Sequence, residues 1–133
     1  AGLKRLGLAD VVHEPLPVEL VVPAPGQGAL AIEVHRLRRD VAEILGALDD
    51  AATRLEVECE RAFLRLMEGG CRTPLGGLAM READGLRFDW FWSDDSGEGP
   101  RRGSLRCAAD FAAFEAEARR LAESLRSSQV DPS

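Results

Sequence analysis

Leu78-Ala79-Met80-Arg81-Glu82-Ala83-Asp84-Gly85-Leu86-Arg87-Phe88-Asp89-Trp90-Phe91-Trp92 is the stretch that decides the fold. Leu78 and Met80 alternate with Ala79 and Arg81, and Leu86, Phe88, Trp90 and Trp92 alternate with Arg87, Asp89, Phe91 and Ser93. A period of two is that of a strand with one buried face. Asp84-Gly85 is a hairpin signal between the two runs. The stretch therefore predicts two antiparallel strands, the second carrying a large aromatic face. Asp94 to Pro100 reads as a turn, and Arg101 to Cys107 as a third strand.

Helical periods flank this sheet. From Ala51 to Glu68 the residues Leu55, Cys59, Ala62, Phe63 and Leu66 form one apolar stripe, with Glu56, Glu60 and Arg61 off it. Asp49 and Asp50 can cap its start, and Gly69 is a natural stop. A last helix is expected from about Asp110 to Ser127, its stripe being Phe111, Phe114, Ala118, Leu121, Ala122 and Leu125. The tail from Ser128 reads as frayed. Residues 49–133 are thus expected to form an α+β unit, a small three-stranded antiparallel sheet packed with helices.

Residues 1–48 show no core of their own. Residues 1–8 read as a helix end or turn, and Pro15 and Pro17 forbid a helix after them. Val18 to Val22 is a β-branched strand candidate. Pro23-Ala24-Pro25-Gly26-Gln27-Gly28 must be a loop, and Ala29 to Val34 a buried strand leaving it. Asp40 with Glu43 suggests a capping box for a short helix from Val41 to Leu48. Ala1 in place of Met, and an opening that reads as mid-domain, predict a fragment with residues missing upstream.

Composition sets limits. The 133 residues are 45% hydrophobic and 30% charged, with net charge −6. That is a globular composition without a basic surface for nucleic acid. Arg36-Leu37-Arg38-Arg39 and Arg101-Arg102 read as solvated faces. No apolar run reaches the roughly 20 residues of a membrane span, and no signal peptide is visible. Cys59, Cys71 and Cys107 have no CxxC spacing, so neither a disulfide framework nor a metal site is expected. Reduced thiols in a cytoplasmic protein are the simpler account.

Cys71 is the informative cysteine. It follows Gly69-Gly70, which let the backbone turn and leave room beside the sulfur, and precedes Arg72-Thr73-Pro74. Arg72 favours the thiolate, the nucleophilic form. Cys59 lies on an apolar stripe instead. His13 and His35 have no evident partner and are not candidate catalysts. Glu60 and Arg61 read as helix-surface pairs or as a tie to a neighbouring domain.

Three stretches together carry a resemblance. Glu60-Arg61-Ala62-Phe63-Leu64-Arg65-Leu66-Met67-Glu68-Gly69-Gly70-Cys71-Arg72-Thr73-Pro74-Leu75-Gly76 closely resembles the cofactor-attachment signature of the hydroxymethylbilane synthase (porphobilinogen deaminase) family. Leu20-Val21-Val22-Pro23-Ala24-Pro25-Gly26-Gln27-Gly28-Ala29-Leu30-Ala31-Ile32-Glu33 and Ala1-Gly2-Leu3-Lys4-Arg5-Leu6-Gly7-Leu8 are similar to two further family segments, in the family's order.

The resemblance implies an enzyme of tetrapyrrole, porphyrin and heme biosynthesis. It joins porphobilinogen molecules head to tail into hydroxymethylbilane, releasing ammonia at each step. A dipyrromethane cofactor, held by a thioether, primes the growing oligopyrrole. By position, the thioether falls on Cys71. Arg5 matches an arginine that pairs with the acetate and propionate groups of cofactor or substrate, and Gly2 and Gln27 match positions lining that cleft. Arginine suits this task because it grips carboxylates in a bidentate fork. Gly26 and Gly28 would allow close approach and a hinge.

The family's first two domains are α/β lobes like periplasmic binding proteins. The resemblance makes residues 1–48 remnants of these lobes and 49–133 the C-terminal domain. The catalytic aspartate falls upstream, so no catalytic acid or base is assigned within 1–133, and the chain alone is expected to be inactive. The expected partners are porphobilinogen, the oligopyrrole and the missing N-terminal lobes, not nucleic acid or membrane. Two other readings stand beside this one: a non-catalytic α+β interaction domain, and a thiol redox protein. The second lacks a resolving cysteine at CxxC spacing.

Overall fold

A computed structural model describes residues 2–11, 14–68, 74–93 and 99–127. Three strands, β1 (Leu75–Glu82), β2 (Gly85–Trp92) and β3 (Arg101–Cys107), form one antiparallel sheet in the order β1-β2-β3. Glu82 pairs with Gly85, so the two-residue hairpin loop is Ala83-Asp84, and Gly85 begins the second strand. Gly85 has φ +156, and a Cβ there would sit 2.4 Å from the carbonyl oxygen of Cys107.

Among the described residues four α-helices accompany the sheet: α1 (Gly2–Arg5), α2 (Arg39–Gly46), α3 (Ala51–Leu66) and α4 (Phe111–Ser127). Asp50 caps α3, its Oδ1 accepting from Thr53 N at 2.7 Å, and Asp110 does the same for α4 from Ala113 N at 2.9 Å. Both satisfy amides that a helix start leaves without partners. α3 and α4 pack on each other, α3 against β1 and α4 against β3.

Register explains which strand residues face the helices. Directly opposed residues share a face. Ala79, Phe88 and Leu105 are therefore on one face, as are Leu75 and Trp92. Phe88 is fully buried, with Phe63 of α3 and Phe114 of α4 each 5.0 Å away, ring centre to ring centre, in edge-to-face contact. On β1 the inward residues are Leu75, Gly77 and Ala79, while Leu78 and Met80 lie on the other, charged face with Arg87 and Asp89. Small residues on β1 leave room for the aromatics of β2.

Several upstream expectations need correction. Val18 to Val22 is not a strand: the carbonyl of Pro17 accepts from Leu20 and Val21 N–H, which makes a turn. Ala29 to Val34 is neither paired nor buried, and Leu30 is 97% exposed. A strand needs a partner for its backbone groups, and among the described residues the sheet contains only β1, β2 and β3. The strand content expected of a lobe remnant is thus not formed. Asp40 is no N-cap either. That position is Arg38, whose guanidinium instead pairs with the Asp40 carboxylate at 2.8 Å. Ile44 and Leu48, on the apolar side of the short helix and just past its end, are 73% and 69% exposed. Leu66 is only half-buried, and Met67 fills the core in its place. Among the described residues no helix is long and apolar enough to cross a membrane.

Candidate functional site

β1 is an edge strand, and an edge presents unpaired N–H groups. Gly77, Ala79 and Arg81 point theirs away from β2, and each finds a different acceptor. Gly77 N donates to the Pro23 carbonyl at 2.9 Å. Ala79 N donates to Glu60 Oε1 at 3.0 Å, and Arg81 N to Glu56 Oε1 at 2.9 Å. Glu56 and Glu60 are one helical turn apart on the flank of α3, the spacing that aligns them along a strand.

Glu60 does more than cover the edge. It is 5% exposed, and its Oε2 accepts from Gly26 N at 2.6 Å. One carboxylate therefore joins α3, β1 and the turn after Pro25. The expectation of a surface pair is corrected, while a tie to another segment is what the geometry provides. Burial pushes the Glu60 carboxyl above its ordinary range, opposed by the amides of Gly26 and Ala79 and assisted by the charge of Glu56.

This sets a sign for pH. As pH rises from the ordinary carboxylate range through the raised value, the unfolded chain has released a proton that the folded chain retains. Folding stability falls across that window. A Glu60→Gln chain should lack this component of the fall. Glu60→Ala orphans two amides and is expected to destabilise the chain by about 3 kcal/mol. Urea unfolding of the two proteins checks it, and a loss of less than about 1 kcal/mol contradicts it.

The turn itself needs glycine. Gly26 and Gly28 have φ +76 and +88, conformations that side chains disfavour. Gln27 N donates to the Ala24 carbonyl at 3.0 Å and Ala29 N to that of Gly26 at 3.3 Å. Gln27, a candidate site residue, sits exposed between the two glycines. A Cβ on Gly76 would lie 2.8 Å from the Val22 carbonyl oxygen, so the loop approaches β1 only because that position is glycine.

Cys71 and the rest of 69–73 lie outside the described residues, as does His13. The segment's two ends are described. α3 closes with Met67 N donating to the Phe63 carbonyl, and Glu68, not a glycine, takes positive φ at 52. Arg126 of α4 donates to the Leu66 carbonyl at 2.6 Å, a cation on a helix C-terminus. On the return side Ser93 N donates to the Pro74 carbonyl at 3.0 Å.

The other cysteines are free thiols held in the core or beside it. Cys59 is fully buried, and desolvation pushes its thiol up to about 12. Cys107 is half-buried and also raised by burial. Neither is primed as a nucleophile.

Gly2 opens α1 and Arg5 ends it, exposed. Among the described residues no hydrogen bond or ion pair joins Arg5 to Gln27 or to α3. His35 does have a partner, since its Nδ1 accepts from Leu37 N at 3.3 Å within a local turn. Arg101 is not merely solvated: it donates to the Leu125 carbonyl at 2.7 Å and lies 4.7 Å over the Trp92 ring.

Comparison with known proteins covers most of the chain. Residues 54–125 match the family model described as porphobilinogen deaminase, C-terminal domain. Residues 1–43 match the one described as porphobilinogen deaminase, dipyromethane cofactor binding domain. The porphobilinogen deaminase of Nitratidesulfovibrio vulgaris (strain Hildenborough) is 48% identical over 99 residues, which are 74% of this chain and 31% of that protein. That of Roseiflexus castenholzii is 46% identical over 86 residues, 65% of this chain and 28% of the relative. Porphobilinogen deaminase 1 of Streptomyces avermitilis is 52% identical over 85 residues, 64% of this chain and 26% of the relative. The matched region thus spans less than a third of each relative's length.

Proposed function

The chain belongs to the porphobilinogen deaminase family, and we propose that the protein carrying it is a hydroxymethylbilane synthase. Its substrate is porphobilinogen, which it condenses head to tail with loss of ammonia. Its cofactor is a dipyrromethane, attached through a thioether to Cys71. Residues 1–48 and 49–133 serve as separate parts, a division supported by the two family models, which leave 44–53 between them.

The observation that carries the cofactor reading is the fate of the thiols. A permanent thioether needs an accessible thiolate. Cys59 is fully buried with a thiol at about 12, and Cys107 is half-buried and raised. Cys71 remains, on a segment whose ends are pinned through the Leu66 and Pro74 carbonyls. When bound, the dipyrromethane supplies the pyrrole carbon to which the next ring is joined. The residues of this chain hold and orient it. Arg5, exposed at the end of α1, is suited to its carboxylates, and Gly2 and Gln27 would line the same cleft.

The test is an assay of the protein as the cell makes it. Given porphobilinogen, it should release ammonia and a linear tetrapyrrole that closes, with loss of water, to a porphyrinogen, which air oxidises to a coloured porphyrin. Absence of ammonia release from folded protein overturns the reading in favour of a non-catalytic domain.

A further inference from the structure

Three contacts seat residues 22–26 on the free edge of β1. The Val22 carbonyl fills the space beside Gly76, the Pro23 carbonyl accepts from Gly77 N, and Gly26 N donates to Glu60. Pro25 lies 3.5 Å from where a Cβ on Gly77 would project. The first contacts fix how the chain approaches the sheet. The last fixes the turn, because it grips an amide between Pro25 and Gln27. Gly26 and Gly28 at positive φ would otherwise leave this turn free to hinge.

The anchoring helix α3 ends at Leu66 with Met67 as its C-cap. Glu60 and Met67 are two helical turns apart, about 10 Å along the axis. We infer that Glu60 is a positioning residue. Its carboxylate holds the Gln27 turn on α3 and on β1, and with it the place of Gln27 in the cleft proposed above. The role toward a cofactor rests on the function proposed above, whereas the clamp itself does not.

The chemistry requires a carboxylate. Two N–H donors converge on its two oxygens, one from Gly26 and one from Ala79. Glutamine has a single acceptor oxygen and would turn its own N–H₂ toward one of those donors. Aspartate is one methylene shorter and cannot reach both. Only Glu60 satisfies the turn and the strand together.

NMR on the 133-residue chain tests the clamp. In the wild-type protein the Gly26 and Ala79 amide shifts should follow the titration of the Glu60 carboxyl carbon with one midpoint. In Glu60→Gln, amide exchange at Gly26 and Gln27 should rise at least about tenfold, while Phe88 and Leu105 in the sheet stay protected. A Gly26 amide indifferent to Glu60 titration overturns the clamp, as does unchanged Gly26 protection in a folded Gln variant. Should that variant not fold, the wild-type titration decides alone.

Activity separates the two claims. In the protein as the cell makes it, Glu60→Gln should keep its covalent dipyrromethane, read as colour with Ehrlich's reagent, and lose about tenfold in kcat. A wild-type protein with neither colour nor turnover sinks the proposed function and leaves the clamp to the NMR result. A Gln variant with a released turn and unchanged kcat overturns the positioning role while the function stands.

Discussion

Exchange of Cys71 for serine is expected to remove the dipyrromethane completely, and with it the pink colour with Ehrlich's reagent and all turnover of porphobilinogen. The argument is about ionisation. A thiol near its ordinary pKa has a usable thiolate fraction at neutral pH, whereas a serine hydroxyl has essentially none. No other sulfur can substitute. Burial pushes the Cys59 thiol up to about 12, far from ionising at neutral pH, and it is sealed in the core. Cys107 is half-buried in β3, and its thiol is raised as well. The variant should fold normally, since both anchors of the 69–73 segment act through backbone carbonyls of other residues. Colour retained in folded Cys71→Ser protein would show that the cofactor is held elsewhere.

The largest loss of stability is expected at Phe88. Its ring is fully buried between Phe63 and Phe114, with edge-to-face angles of 68° and 72°. It meets an aromatic ring of each long helix. Cutting it to alanine removes the buried area and leaves a cavity lined by α3 and α4, at a cost of about 4 kcal/mol. The neighbours cannot collapse into the gap without moving whole elements, because Ala79 and Leu105 flank it as strand partners. Small domains have about 5–15 kcal/mol in total, so the variant should be largely or partly unfolded near body temperature. Urea unfolding followed by the fluorescence of Trp90 and Trp92 measures the loss. A shift equivalent to less than about 1 kcal/mol would mean that the aromatic cluster is not the centre of the core.

The elements that build this core were legible because their periods are local. The stripe through Cys59, Ala62 and Phe63, and that through Phe114, Ala118, Ala122 and Leu125, are buried as helical spacing requires. The alternation from Leu86 to Trp92 gave β2 its inward face, and Asp50 announced its helix as a cap. Val18 to Val22 misled because β-branched residues favour a strand only where a partner exists. Ile44 and Leu48 stay exposed because an apolar stripe is buried only if something lies against it.

Glu60 was the important residue left off the buried set. Its acceptors serve amides 19 and 34 residues away, and no local pattern encodes such a meeting. The usable signal was the pair Glu56 and Glu60, one turn apart on the flank of a stripe. Reading it required knowing that β1 is an edge and that its odd-numbered amides face the helix. The glycines at 76 and 77 belong to the same account. Val22 lies against the first and the Phe88 ring, with Pro25 beyond it, against the second, a fact that only the fold makes visible.

The attachment of a dipyrromethane is tested most directly by peptide mapping of the protein as purified from cells that make porphobilinogen. Mass analysis of its cysteine peptides should find the added dipyrromethane on the peptide containing Gly70-Cys71, with the Cys59 and Cys107 peptides unmodified. An unmodified Cys71 peptide in protein that turns over substrate, or the added mass on either other cysteine, would contradict the account.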